Sequence, residues 1–199
     1  MFNFSDFYQR NLFINFLKNI LPFEENQKQF IINKNELIKN VLKLGEVSFD
    51  KNITVFEVKH NSKDDTRTQL TKSFFSILNK FSIDQALVVF FCDDSKKYRL
   101  SFIESDLNWS SVSTIKREFS NPKRLSYLLG EGAKIHTAYN QLKNKIIDYN
   151  DLKKRFDIEI VSKEFFNQYK NLYENLLIHL NNDKQFKKFA NKIDLENRA

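Results

Sequence analysis

One run constrains this chain more than any other: Ile53-Thr54-Val55-Phe56-Glu57-Val58-Lys59-His60, β-branched and aromatic but carrying a carboxylate and an ammonium two residues apart. Such composition predicts a strand, and successive side chains of a strand point to opposite faces. Glu57 and Lys59 therefore share a face, about 7 Å apart along the chain. A carboxylate beside a lysine suits metal-dependent phosphodiester chemistry: one group holds a divalent cation, the other meets charge developing on phosphate or positions the attacking water. The triplet by itself is weak, since acidic-x-Lys should occur roughly three times by chance in such a chain. Three are present: Glu57-Val58-Lys59, Asp94-Ser95-Lys96 and Asp151-Leu152-Lys153. Asp94 lies in a polar turn and Asp151 opens a helical pattern, so context selects Glu57.

The flanking segments predict a mixed α/β protein. Phe4, Phe7, Tyr8, Leu12, Phe13, Phe16, Leu17, Ile20 and Leu21 recur at helical spacing up to Pro22. A second helix is expected over Asn26–Leu42, on Phe30, Ile31, Leu37, Ile38 and Val41. Residues 44–49 and 53–60, joined by Asp50-Lys51-Asn52, read as a β-hairpin. Asp64 or Asp65 can cap a helix running to Phe81. Strands are expected over Gln85–Cys92 and Tyr98–Glu104. Residues 106–121, with the single Trp109, read as a linker or irregular cover, and the remainder as helical, ending in a long helix over about Ser162–Leu180. The expected division is thus a core over 1–105 and a mainly helical connector over 106–199. The wide apolar arc on the last helix, including Phe166, Tyr173 and Leu177, suggests contact with more than one neighbour.

Charge and cysteine usage narrow the classes. A formal charge of +7 permits a polyanionic partner, and Lys116-Arg117, Lys123-Arg124, Lys153-Lys154-Arg155 and Lys187-Lys188 spread it without a base-reading element. One cysteine, Cys92, excludes a disulfide framework or a cysteine-rich zinc site and is expected in the core. No apolar run has membrane-spanning length and no signal peptide is visible, so a cytoplasmic protein is expected.

A metal site would need a second carboxylate facing Glu57. With the hairpin turn centred near Asp50, Lys51 and Asn52, Glu46 falls across from Glu57 at about 5 Å. Asp50 would lie about 13 Å away along the strand. Glu46 is the favoured partner, with Asp50 the alternative. Arg67 and Gln69, in the first turn of the following helix, could face a phosphate or the attacking water. His60, His136 and His179 match no metal-ligand spacing.

Taken in order, Leu44-Gly45-Glu46-Val47, Val55-Phe56-Glu57-Val58-Lys59, Ala86-Leu87-Val88-Val89-Phe90-Phe91 and Tyr98-Arg99-Leu100-Ser101-Phe102-Ile103 resemble a known family. It is the N-terminal nuclease domain of type IIG single-chain restriction-modification enzymes, a branch of the PD-(D/E)xK superfamily. Pro122-Lys123-Arg124-Leu125-Ser126-Tyr127-Leu128-Leu129-Gly130 and Phe156-Asp157-Ile158-Glu159 with Lys163-Glu164-Phe165-Phe166 resemble the region joining that nuclease to its methyltransferase. The resemblance implies a restriction-endonuclease-like mixed sheet flanked by helices and a Mg²⁺-dependent (or Mn²⁺-dependent) cut in duplex DNA. It implies Glu46 and Glu57 as metal ligands, with Glu46, Glu57, Lys59 and Gln69 catalytic. The superfamily's Pro-Asp is absent, which leaves Glu46 and Asp50 both open. No methylation motif or target-recognition region is visible, so the chain reads as a fragment or a stand-alone relative. A catalytically silent module binding DNA or a partner protein is the other class that fits these residues.

Overall fold

The computed structural model describes residues 3–31, 37–61, 67–110, 114–119, 126–183 and 186, with backbone alone at 67–68, 106–110, 114–118 and 158–164. Two units are present, Met1–Ile158 and Glu159–Ala199. In the first, helix α1 (Arg10–Ile20) precedes strands β1 (Phe23–Phe30), β2 (Ile38–Ser48) and β3 (Asn52–His60); helix α2 (Arg67–Lys80) leads into β4 (Gln85–Phe91) and β5 (Lys97–Ser110). Strands β6 (Thr114–Phe119) and β7 (Ser126–Gly130) and helices α3 (His136–Leu142) and α4 (Tyr149–Phe156) follow. The second unit is helix α5 (Ile158–Asn182), whose first residue belongs to the preceding unit.

The sheet runs β1-β2-β3-β4-β5-β6, with β7 pairing β5. Strands β1, β2 and β3 form an antiparallel meander, whereas β3 and β4 are parallel and connected through α2. A parallel pair needs such a crossover, because a tight turn cannot return the chain to the same end. The sheet is therefore mixed, with helices covering it, as the sequence predicts.

Alternation along β3 assigns its two faces. Phe56 and Val58 join a core with Leu70, Phe74, Ile77 and Leu78 of α2 and with Val88, Phe90, Val41 and Ile38. Ile53, Val55 and Glu57 point to the other face, as do Leu87 and Phe102 across the sheet. There Phe102 meets Tyr149 and Phe156 of α4 at ring separations of 6.0 Å each. Tyr8 lies 4.9 Å from Phe91 and 5.7 Å from Phe13, joining the sheet to α1. Cys92 is buried and free.

Two expectations are corrected. The described residues of Asn26–Leu42 are not helical: they supply most of β1 and the start of β2, and residues 32–36 lie outside the described residues. Strand β1 is an edge whose residues 24–29 are all exposed, so it shows no alternation, and its polar side chains mark a protected edge. In β2, pairing with β3 shifts between Ile38 and Asn40 and again between Lys43 and Gly45. Each shift offsets the alternation by one residue and leaves Ile38, Val41, Leu44 and Val47 buried at intervals of three. That spacing imitates a helical stripe.

The described residues within 106–130 likewise form strands rather than a linker followed by helix, while residues 111–113 and 120–125 lie outside the described residues. β5 continues to Ser110, β6 pairs back on it from Thr114, and β7 pairs with Lys97–Ser101. A boundary at 105/106 would cut through β5. Gly130, at φ +99°, ends β7 in a conformation favouring glycine, and its amide donates to the Phe4 carbonyl at 2.8 Å. In α5, Phe165, Phe166, Tyr169, Leu172, Tyr173, Leu176 and Leu177 are each exposed, from 39% to 69%.

Candidate functional site

Glu57 lies near the middle of β3, between Leu42 of β2 and Val89 of β4. A strand bonded on both sides and covered on both faces excludes water, and Glu57 is only 3% exposed. A carboxylate so placed must find donors or lose its charge. The N-terminal segment supplies them. Tyr8 donates its hydroxyl to Oε2 at 2.6 Å, while Arg10 donates Nε to Oε2 at 2.8 Å and Nη2 to Oε1 at 2.6 Å. This is a bidentate guanidinium–carboxylate pair with a phenol as third donor.

The electrostatics are mutual. Burial pushes the Tyr8 phenol well above its ordinary range, and the adjacent Glu57 charge and hydrogen bond add to it, so Tyr8 stays a donor. The Glu57 hydrogen bond likewise raises Arg10 above its ordinary value, against a smaller opposing effect of burial. Arg10 is the first residue of α1, so the same bonds fix the start of that helix against β3.

Lys59, two residues on, has the expected same-face relation to Glu57. Its Nζ pairs with Asp93 Oδ2 at 2.5 Å, beyond the end of β4. Glu57, Lys59, Arg10 and Tyr8 thus gather toward the carboxyl ends of the parallel pair. Ligands in open α/β sheets bind in such positions.

Glu46 is elsewhere. The β2–β3 turn closes on Asp50, with Ser48 paired to Asn52, and the irregularity at Lys43–Gly45 shifts the register again. Glu46 therefore pairs with Thr54, and Leu42 pairs with Glu57. Directly paired residues share a face, so Glu46 projects with Phe56, on the side away from Glu57. Its carboxylate accepts Lys43 Nζ at 2.5 Å. Asp50 is exposed in the turn itself. The predicted opposition of Glu46 and Glu57 is corrected on this geometry. Gln69 is exposed on α2, which packs on the Phe56 face, and the side chain of Arg67 lies outside the described residues, as do Asp64 and Asp65. His60 is buried.

A second buried carboxylate, Glu104 of β5, accepts hydrogen bonds from the Tyr149 hydroxyl and, at 2.6 Å, from Lys153 Nζ. Burial pushes Glu104 up, but those bonds and the charges of Lys153 and Lys51 outweigh it and hold the carboxyl below its usual range. Lys51 Nζ also sits 4.5 Å above the Tyr149 ring. This cluster ties α4 to the sheet.

Among the described residues, the donor set around Glu57 does not fit magnesium. Both Glu57 oxygens are already engaged by cationic or hydroxyl donors, Glu46 faces away, and no group of three or more His, Cys, Asp or Glu among the described residues could hold a metal ion. Mg²⁺ asks for octahedral oxygen donors, usually one or two carboxylates besides water and substrate. Sequence reasoning missed Tyr8 and Arg10. The available signal was a carboxylate inside an apolar run, which requires a buried partner. Comparison with protein-family models, curated proteins and solved structures yields no match. Among the described residues, no helix is long and apolar enough to cross a membrane.

Proposed function

We propose that the chain is a restriction-nuclease-type α/β module of the PD-(D/E)xK kind, similar to the N-terminal domain of type IIG restriction-modification enzymes, which engages the phosphate backbone of duplex DNA in the cytoplasm. The single observation carrying this reading is the cluster over the carboxyl-terminal halves of β3 and β4. There a carboxylate-x-lysine pair, Glu57 and Lys59, shares one face, and the cationic side chains of Arg10 and Lys59 are 43% and 32% exposed. The net charge of +7 supports a polyanionic partner. Methyltransferase and target-recognition functions belong to other domains of such an enzyme, so this module binds without sequence preference.

A second reading, Mg²⁺-dependent endonucleolytic cleavage of duplex DNA, is favoured by the same-face placement of Glu57 and Lys59. It requires Arg10 to leave Glu57 and a further carboxylate to arrive. The described residues carry no hydrolytic step through a metal.

Fluorescence anisotropy of labelled duplexes in EDTA across a salt series tests the first reading. Weak binding, indifferent to sequence and falling steeply with salt, is expected. Absent or salt-independent binding would contradict it. Incubation with supercoiled plasmid and Mg²⁺ or Mn²⁺ tests the second: nicking that disappears in Glu57→Gln would put a metal-dependent nuclease in its place.

A further inference from the structure

The pair of Arg10 and Glu57 admits two assignments. If Glu57 were a metal ligand, Arg10 would be a temporary occupant of the cation's place. If Glu57 instead anchors Arg10, the guanidinium is the permanent cation of the site. Three observations favour the second. All three donors to Glu57 come from Tyr8 and Arg10, so that each oxygen already accepts at least one charge-assisted or hydroxyl bond in good geometry. The carboxylate is buried while the Arg10 side chain remains 43% exposed, so the pair is sealed on the acidic side and open on the basic side. The guanidinium has five N–H donors, and Glu57 takes one from Nε and one from Nη2, leaving three for another acceptor.

We propose that Arg10 is a phosphate-contacting residue for the DNA backbone, that Glu57 is its positioning residue rather than a metal ligand, and that Lys59, fixed by Asp93, supplies a second cation on the same face. A guanidinium held by one edge loses little further freedom when its other edge meets a phosphate, and its planar fork matches phosphate oxygens in a way an ammonium does not. Removing Arg10 alone would also leave an uncompensated carboxylate beside the DNA. The informative variant removes both charges.

The inference rests on the DNA-binding reading above. The experiment uses the full chain in EDTA with a short fluorescein-labelled duplex. Arg10→Gln/Glu57→Gln keeps the wild-type net charge, so an affinity loss reports the contact itself; a loss of about 3- to 10-fold is expected, with a salt slope lower by about one. Arg10→Lys keeps the charge without the fork and should recover only part of the affinity, which guards against misfolding of the double variant. In the free protein, one slowly exchanging arginine Nε–H signal should vanish in Glu57→Gln. A double variant binding as tightly as wild type, or an unchanged Nε–H signal in Glu57→Gln, would overturn the inference while leaving DNA binding intact. Failure of the wild-type chain to bind any duplex would overturn both.

Discussion

Arg10 closes on Glu57 through two nitrogens, at 2.8 and 2.6 Å, across a sequence separation of 47 residues. This pair fixes the start of α1 against the centre of the sheet. Arg10→Ala leaves a nearly inaccessible carboxylate with only the Tyr8 hydroxyl. Because Arg10 itself is partly solvated, the expected cost is about 2–3 kcal/mol, below the figure for a fully buried pair. Adding Glu57→Gln should return part of that loss. Urea unfolding of the three variants measures it, and an additive double variant would show that the two side chains are not coupled.

Tyr8 and Tyr98 stand close together, with ring centroids 5.6 Å apart, yet their hydroxyls should respond oppositely to deletion. Tyr8 donates to a carboxylate, so Tyr8→Phe should cost about 1.5–3 kcal/mol. The buried Tyr98 hydroxyl has no hydrogen-bond partner among the described residues, so Tyr98→Phe should be neutral or stabilising by about 1 kcal/mol. Melting temperatures that fall equally in the two variants would contradict this assignment of donors.

Acid should loosen the junction between α4 and the sheet. Glu104, which links β5 to α4, is held below its usual range on balance, and Asp151, which braces α4 internally and against Ile147, is held low by Arg155 first of all. Groups depressed in the folded state contribute stability that is present above the unfolded carboxylate range and is lost as pH falls toward their folded values. The loss should therefore begin below about pH 5. Glu104→Gln should flatten that acid limb, as read by the urea midpoint against pH. An unchanged slope would show that Glu104 gains nothing from Tyr149 and Lys153.

Gly45 sits where β1 crosses β2 at close range. A Cβ there would run into the Glu24 carbonyl and lie 2.7 Å from the Phe23 ring. Gly45→Ala should cost about 1–3 kcal/mol through displacement of the edge strand, seen as faster amide exchange over residues 23–30.

Strand β3 was legible because it is short, β-branched and hemmed by turns. Its partner β2 was not, because two register shifts convert alternation into a spacing of three, and β1 was not, because an exposed edge carries no pattern. The turn decides the site: closing on Asp50, it pairs Glu46 with Thr54 and so sets it on the face away from Glu57, while the irregularity at Lys43–Gly45 brings Leu42 opposite Glu57; a correct hairpin thus led to an incorrect pairing. The same-face relation of Glu57 and Lys59 follows from alternation alone. The meeting of Tyr8 and Arg10 with Glu57 depends on tertiary packing of the segment before α1, and Tyr8 in sequence reads as one more apolar residue of that helix.

The central claim is that the Glu57 carboxylate is committed to Arg10 and Tyr8 rather than to a divalent cation. Titrating Mn²⁺ into the full chain while following free Mn²⁺ by electron paramagnetic resonance tests it most directly. Wild type and Glu57→Gln are predicted to bind Mn²⁺ equally weakly, with no saturable site distinguishing them. A one-to-one site in the wild type that Glu57→Gln abolishes would contradict the account.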